Sequence, residues 1–117
     1  MTEVICINRF SGIHAWSGCP NGFLHDYLAS PHRHEFMVET RFRVTDDDRQ
    51  IEFLEMQDRI AEYVAIAFPL HAGTSVFDFG GLSCEMLARR IADYFHALSC
   101  EVREDGFGGA KFVREGV

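Results

Sequence analysis

Residues 32–44 read H-R-H-E-F-M-V-E-T-R-F-R-V, and the reading of this stretch decides the fold. His32, His34, Phe36, Val38, Thr40, Phe42 and Val44 fall in one phase, and Arg33, Glu35, Met37, Glu39, Arg41 and Arg43 in the other. Such alternation predicts a half-buried strand, because successive side chains of a strand point to opposite faces of the sheet. The same geometry sets the imidazoles of His32 and His34 side by side on the inward face. Polar groups that point inward need partners, since burying them bare costs free energy.

Upstream, the stretch from Glu3 to His14 carries Val4, Cys6, Phe10 and His14 in one phase. It predicts a second strand that delivers a third inward histidine near its end. The loop between the two, Ala15 to Pro31, is long, and loops of that length without structure of their own are usually functional or mobile. Downstream, Asp46, Asp47 and Asp48 form an acidic turn, after which Phe53, Met56, Ile60, Val64 and Ala67 recur at helical spacing. Pro69 ends that helix, and Leu70 to Leu82, with Gly73, Gly80 and Gly81, reads as a second loop. Ser83 is placed to cap a second helix, in which Cys84, Leu87, Ala88, Ile91, Phe95 and Leu98 form the apolar stripe. Glu85 lies in its first turn, where the helix dipole favours a carboxylate, and His96 falls on its polar side. Cys100, Val102 and Glu104 then share a phase before the turn D-G-F-G-G and a short closing strand from Ala110 to Val113. The order strand, strand, helix, helix, strand, strand predicts an α+β fold: a four-stranded antiparallel sheet with both helices on one face.

Composition narrows the function. At 117 residues, with 47% hydrophobic residues and eleven Phe, the chain supports one core and is read as a single domain, 1–117. A net charge of −7 and the lack of any Lys or Arg run argue against nucleic acid as a partner. No stretch approaches the ~18 apolar residues of a membrane helix, and the expected location is the cytoplasm. Cys6, Cys19, Cys84 and Cys100 include no C-x-x-C pair, which argues against a zinc ribbon or thioredoxin-like site.

Three inward histidines on neighbouring strand ends, His14, His32 and His34, form a candidate zinc site. Neutral imidazole suits zinc, and three protein ligands leave a fourth position for water or substrate. The competing reading is that the histidines are bonded to backbone or carboxylate at a strand end.

At these residues the chain resembles a family. F-S-G-I-H, at Phe10 to His14, is similar to the F-x-A-A-H of the 6-pyruvoyl-tetrahydropterin synthase family, which includes the 6-carboxytetrahydropterin synthases. H-R-H, at His32 to His34, is similar to its H-G-H. I-E-F-L-E-M resembles the family's D-F-x-x-L with Glu52 for the aspartate, S-C-E-M-L-A-R-R-I resembles its T-x-E-x-L-A-x-x-I, and V-R-E-D resembles its V-x-E-T. The resemblance implies a tetrahydrobiopterin-synthase-like T-fold with Zn2+ on His14, His32 and His34. The implied activity is that of a zinc-dependent carbon–oxygen lyase acting on the side chain of a reduced pterin triphosphate. It also implies that Glu104 holds the ring, with Ser83, Cys84 and Glu85 beside it. A carboxylate suits that role, since it accepts two parallel hydrogen bonds from a guanidine-like N–H pair.

Two departures concern catalysis. The family's cysteine four residues before H-x-H is Leu28 here, with Ala29 at the variant glutamate's position, and its Asp-His pair after the first helix reads Leu70-His71. His71 therefore lacks the carboxylate that would orient it. Substitutes on offer are Cys19, His25 and Asp26 in the long loop, and Cys84 at a helix N-terminus, which lowers a thiol's pKa. Cys84 also sits on the apolar stripe, where packing is the simpler role. The alternative to the lyase is a divergent relative that binds metal and a pterin, purine or deazapurine ring, as in queuosine-type biosynthesis, and runs another reaction or none. Uncovered sheet edges predict a homo-oligomer, a hexamer by resemblance.

Overall fold

The computed structural model describes residues 1–116. Strand β1 (Thr2–His14) and strand β2 (His32–Val44) pair antiparallel along their whole length, from Thr2 opposite Val44 to His14 opposite His32. Strand β4 (Ser99–Glu104) lies against the other edge of β2 with Glu104 opposite Phe36, and β5 (Gly108–Val113) completes the hairpin. The alternation read from the sequence is realised as drawn: Phe36, Val38, Thr40, Phe42 and Val44 are buried, together with Cys6 and Phe10 from β1. Fully burying side chains of this size contributes about 1.5–3 kcal/mol each.

Both helices cover that face. In α1 (Phe53–Ala67) the carboxylate of Glu52 accepts the Glu55 N–H at 2.8 Å, capping the helix, and Ile60 and Val64 reach the core. In α2 (Cys84–Phe95) Ser83 is the cap, its Oγ accepting the Met86 N–H at 3.1 Å, and Cys84, Leu87, Ala88, Ile91 and Ala92 are buried. The helix ends at Phe95, and His96, with a left-handed φ of 52°, is its C-cap. Leu98 thus lies beyond the helix rather than in it.

The sheet differs from the expected four antiparallel strands. It has five, in the order β3-β1-β2-β4-β5, and β3 (Phe77–Asp78) runs parallel to β1, with Phe77 opposite Gly12 and Asp78 opposite Ile13. This strand lies inside the segment read as a loop between the helices. The Phe79 N–H donates to the Ile13 carbonyl at 2.9 Å, and the Ala15 N–H to the Gly80 carbonyl at 2.9 Å, so backbone groups on the free edge of β1 find partners. Phe79 anchors the segment in the core, with its ring centroid 5.0 Å from Phe36 and 4.9 Å from Phe68. The closing strand also begins two residues earlier than expected. A Cβ at Gly109 would lie 1.8 Å from the Val102 carbonyl oxygen, so only glycine permits the close approach there. The α+β class and the placement of both helices stand; the four-stranded, wholly antiparallel sheet does not.

Candidate metal centre

The register explains the site. Directly opposed residues of paired strands share a face, so His14 of β1 stands beside His32 of β2, and Glu104 of β4 beside Phe36, two residues from His34. The ring centroids of the three histidines are 4.6, 5.0 and 5.7 Å apart, and one nitrogen from each lies within 4.8 Å of the other two. Phe36 lies beneath His14 and His34, and Phe79 packs against Phe36.

Each imidazole is held from behind. Nδ1 lies 2.8 Å from the Leu82 carbonyl in His14, 2.8 Å from the Ser30 carbonyl in His32, and 2.5 Å from an Asp105 carboxylate oxygen in His34. All three partners are acceptors, so Nδ1 carries a hydrogen, and in the neutral ring Nε2 is left to present a lone pair. The Nε2 atoms of His14 and His34 are buried and have no hydrogen-bond partner. Each nevertheless lies close to a Glu104 oxygen, at 3.2 Å from His14 and 3.1 Å from His34. At that separation an unprotonated ring nitrogen and a carboxylate oxygen repel unless a proton or a metal ion sits between them. The donor set therefore fits a divalent metal. Three imidazoles suit zinc, and the carbonyl and carboxylate behind them are the outer partners that fix the tautomer of metal-ligating histidines.

Asp105 is a residue of the candidate site that sequence reading missed. Its backbone, at φ 52°, turns the carboxylate back over the strand end, where one oxygen accepts from His34 and the other accepts the Glu35 N–H at 2.8 Å. The Glu35 N–H first, and His34 second, hold its carboxyl below the usual range. A depressed carboxyl pKa contributes stability above the ordinary value of about 3.9, and that contribution is lost as pH falls through the lower folded-state value. The Asp-Gly pair reads locally as a turn signal, and only the register puts it against His34. Asp105→Asn is expected to weaken metal binding by roughly 10–100-fold, measured by competition with a chromophoric chelator; an unchanged affinity would remove Asp105 from the centre.

A cavity of about 700 Å³ opens beside the histidines and takes in Glu104, Ser83, Cys84 and Glu85, four of the residues expected to bind substrate. The Cys84 thiol donates to Glu104 Oε1 at 3.2 Å. Burial, and then Glu104 itself, push that thiol's pKa up, so it is a protonated donor and not a thiolate. Apolar walls come from Trp16, Leu28, Met86 and Phe107. The Trp16 N–H donates to the Leu28 carbonyl at 2.7 Å, which folds the long loop back so that both side chains reach the cavity. His71, Cys19 and His25, the candidate bases, do not line it. His71 is exposed in the segment before β3, its N–H bonded to the Val76 carbonyl. Cys19 lies close to the His25 carbonyl at 4.0 Å, within the loop.

Among the described residues no helix is long and apolar enough to cross a membrane. Comparison with protein-family models finds none that matches this chain, and comparison with curated proteins finds no match either.

Proposed function

We propose that the protein holds one zinc ion on His14, His32 and His34 and uses it to bind and act on a small polar ring compound of the pterin or purine type. The observation that carries this reading is the pair of buried, unpartnered Nε2 atoms facing a carboxylate. Packing alone does not produce three imidazoles whose free lone pairs converge while every Nδ1 is already spoken for. When bound, zinc would supply a Lewis acid that polarises an oxygen substituent and lowers its pKa.

The chain's own groups would do the rest. Glu104 accepts N–H donors from the ring edge, the protonated Cys84 thiol steadies its carboxylate, and Trp16, Leu28 and Phe107 exclude water from the ring faces. Leu28 favours the divergent-relative reading over a pterin synthase of the usual type: it contributes a hydrocarbon wall where the resemblance expects a base. Assembly into a homo-oligomer fits the same picture, since Ile5 and Ile7 are each 44% exposed on the face of the sheet that the helices leave open.

The test is a binding titration of zinc-loaded protein with a reduced pterin and with guanine. At least one ring should bind, and Glu104→Gln should weaken it by about 10–100-fold, the worth of a charge-assisted hydrogen-bond pair. Equal affinity in Glu104→Gln would remove Glu104 from the ring site.

A further inference from the structure

Resting on that metal reading, we infer that Glu104 is the fourth zinc ligand of the ring-free protein: its carboxylate closes the centre, and a ring compound reaches the metal by displacing it. Glu104 thereby serves in turn as metal ligand and as acceptor for the ring edge.

The distances carry this inference. Zinc holds imidazole nitrogen at about 2.0–2.1 Å and carboxylate oxygen at about 2.0–2.2 Å, so neighbouring corners of a tetrahedral centre lie about 3.3 Å apart. The Glu104 oxygens stand close to that edge length, 3.2 Å from Nε2 of His14 and 3.1 Å from Nε2 of His34. A hydrogen bond would give a similar separation, but it also needs the N–H aimed at the oxygen. Neither contact meets that condition, because both Nε2 atoms are buried without a hydrogen-bond partner. Nδ1 of the same two rings does meet its acceptor, at 2.8 Å in His14 and 2.5 Å in His34. Nitrogen and oxygen therefore stand side by side, as two ligands of one ion do.

Charge points the same way. The Glu104 side chain is only 28% exposed, and among the described residues no lysine or arginine lines the cavity to answer it. A half-buried carboxylate needs a cation or donors, and a divalent ion supplies the cation.

The other donor atoms nearby are occupied. Asp105 gives one oxygen to His34 and the other to the Glu35 N–H, and the Ser83 hydroxyl accepts the Met86 N–H. Leu28, on the cavity wall, offers no ligand atom. The Cys84 thiol donates to Glu104 Oε1 at 3.2 Å, which is the outer hydrogen bond that a ligating carboxylate normally has.

The ring-free centre thus has the closed coordination of a structural zinc site, and the ring compound creates the open position that chemistry needs. The exchange balances: the carboxylate leaves the metal as an anion, an oxygen substituent of the ring compound takes its place, and the freed Glu104 accepts the N–H donors of the ring edge.

The experiment loads the full-length chain with cobalt in place of zinc, without any ring compound, and titrates azide, an anion that fills open metal positions, while following the visible absorption of the metal. Wild type should not respond, and Glu104→Gln should bind azide. Glu85→Gln, which removes a charge at an exposed position of the same cavity, should behave as wild type and so separates ligation from charge. Competition with a chromophoric chelator should show zinc held at least about tenfold more weakly by Glu104→Gln. Azide binding by wild type, or equal zinc affinity in wild type and Glu104→Gln, overturns the inference and leaves the three-histidine centre standing. Should Glu104→Gln fail to fold, the azide titrations of wild type and Glu85→Gln decide the matter. A wild-type protein that takes up neither cobalt nor zinc removes the metal reading itself, and this inference falls with it.

Discussion

Truncating Phe36 to alanine is expected to lower the free energy of unfolding by about 3–5 kcal/mol, measured by urea denaturation. Phe36 is 1% exposed, and its ring meets Phe79 edge-on at 5.0 Å. It also supports two of the three imidazoles, at 5.1 Å from His14 and 6.0 Å from His34. The loss therefore combines transfer of a large apolar side chain with a cavity that neighbouring strands cannot close. Because the ring supports two of the three proposed zinc ligands, the same substitution should weaken zinc binding although it removes no ligand. A loss below about 1 kcal/mol would show that the core is not seated at this position.

Zinc itself should stabilise the fold. A ligand that binds only the native state adds about 4 kcal/mol when present at 1,000 times its dissociation constant, and the increment should appear as a zinc-dependent rise in the melting temperature. His34→Ala should abolish most of it. His34 sits at the surface end of β2 with its side chain 22% exposed, so the folded state should survive the change. The pair of measurements separates a ligand from a packing residue: a packing residue lowers stability with or without zinc, whereas a ligand lowers only the zinc-dependent part. Equal zinc-dependent stabilisation in wild type and His34→Ala would contradict the role assigned to this histidine.

Much of this was legible in the residues. Thirteen alternating positions fix β2, and the parity of His14, His32 and His34 with the apolar set fixes their face; paired strands then bring the three together. Ser83 announces α2 because its hydroxyl competes well for a free N–H at a helix start. What escaped was whatever depends on distant partners. A two-residue strand has no period to detect, and β3 exists because Phe79 is anchored in the core and β1 has a free edge. Asp105 sits in a turn whose local chemistry explains it fully; its role toward His34 comes from the β2–β4 register. The cavity walls, Trp16 and Phe107 among them, lie in loops whose course follows from backbone bonds such as Trp16 to Leu28.

The convergence of three imidazole lone pairs on one point is the central claim, and metal content tests it most directly. Protein purified without chelator, exchanged into metal-free buffer and then loaded with zinc should hold about one zinc per chain by elemental analysis, as expected for a single three-histidine centre. A variant with His14, His32 and His34 all changed to alanine should hold none while keeping the helical and strand signals of its circular dichroism. A well-folded wild-type protein that retains no zinc, or a triple variant that retains as much as wild type, would contradict the account.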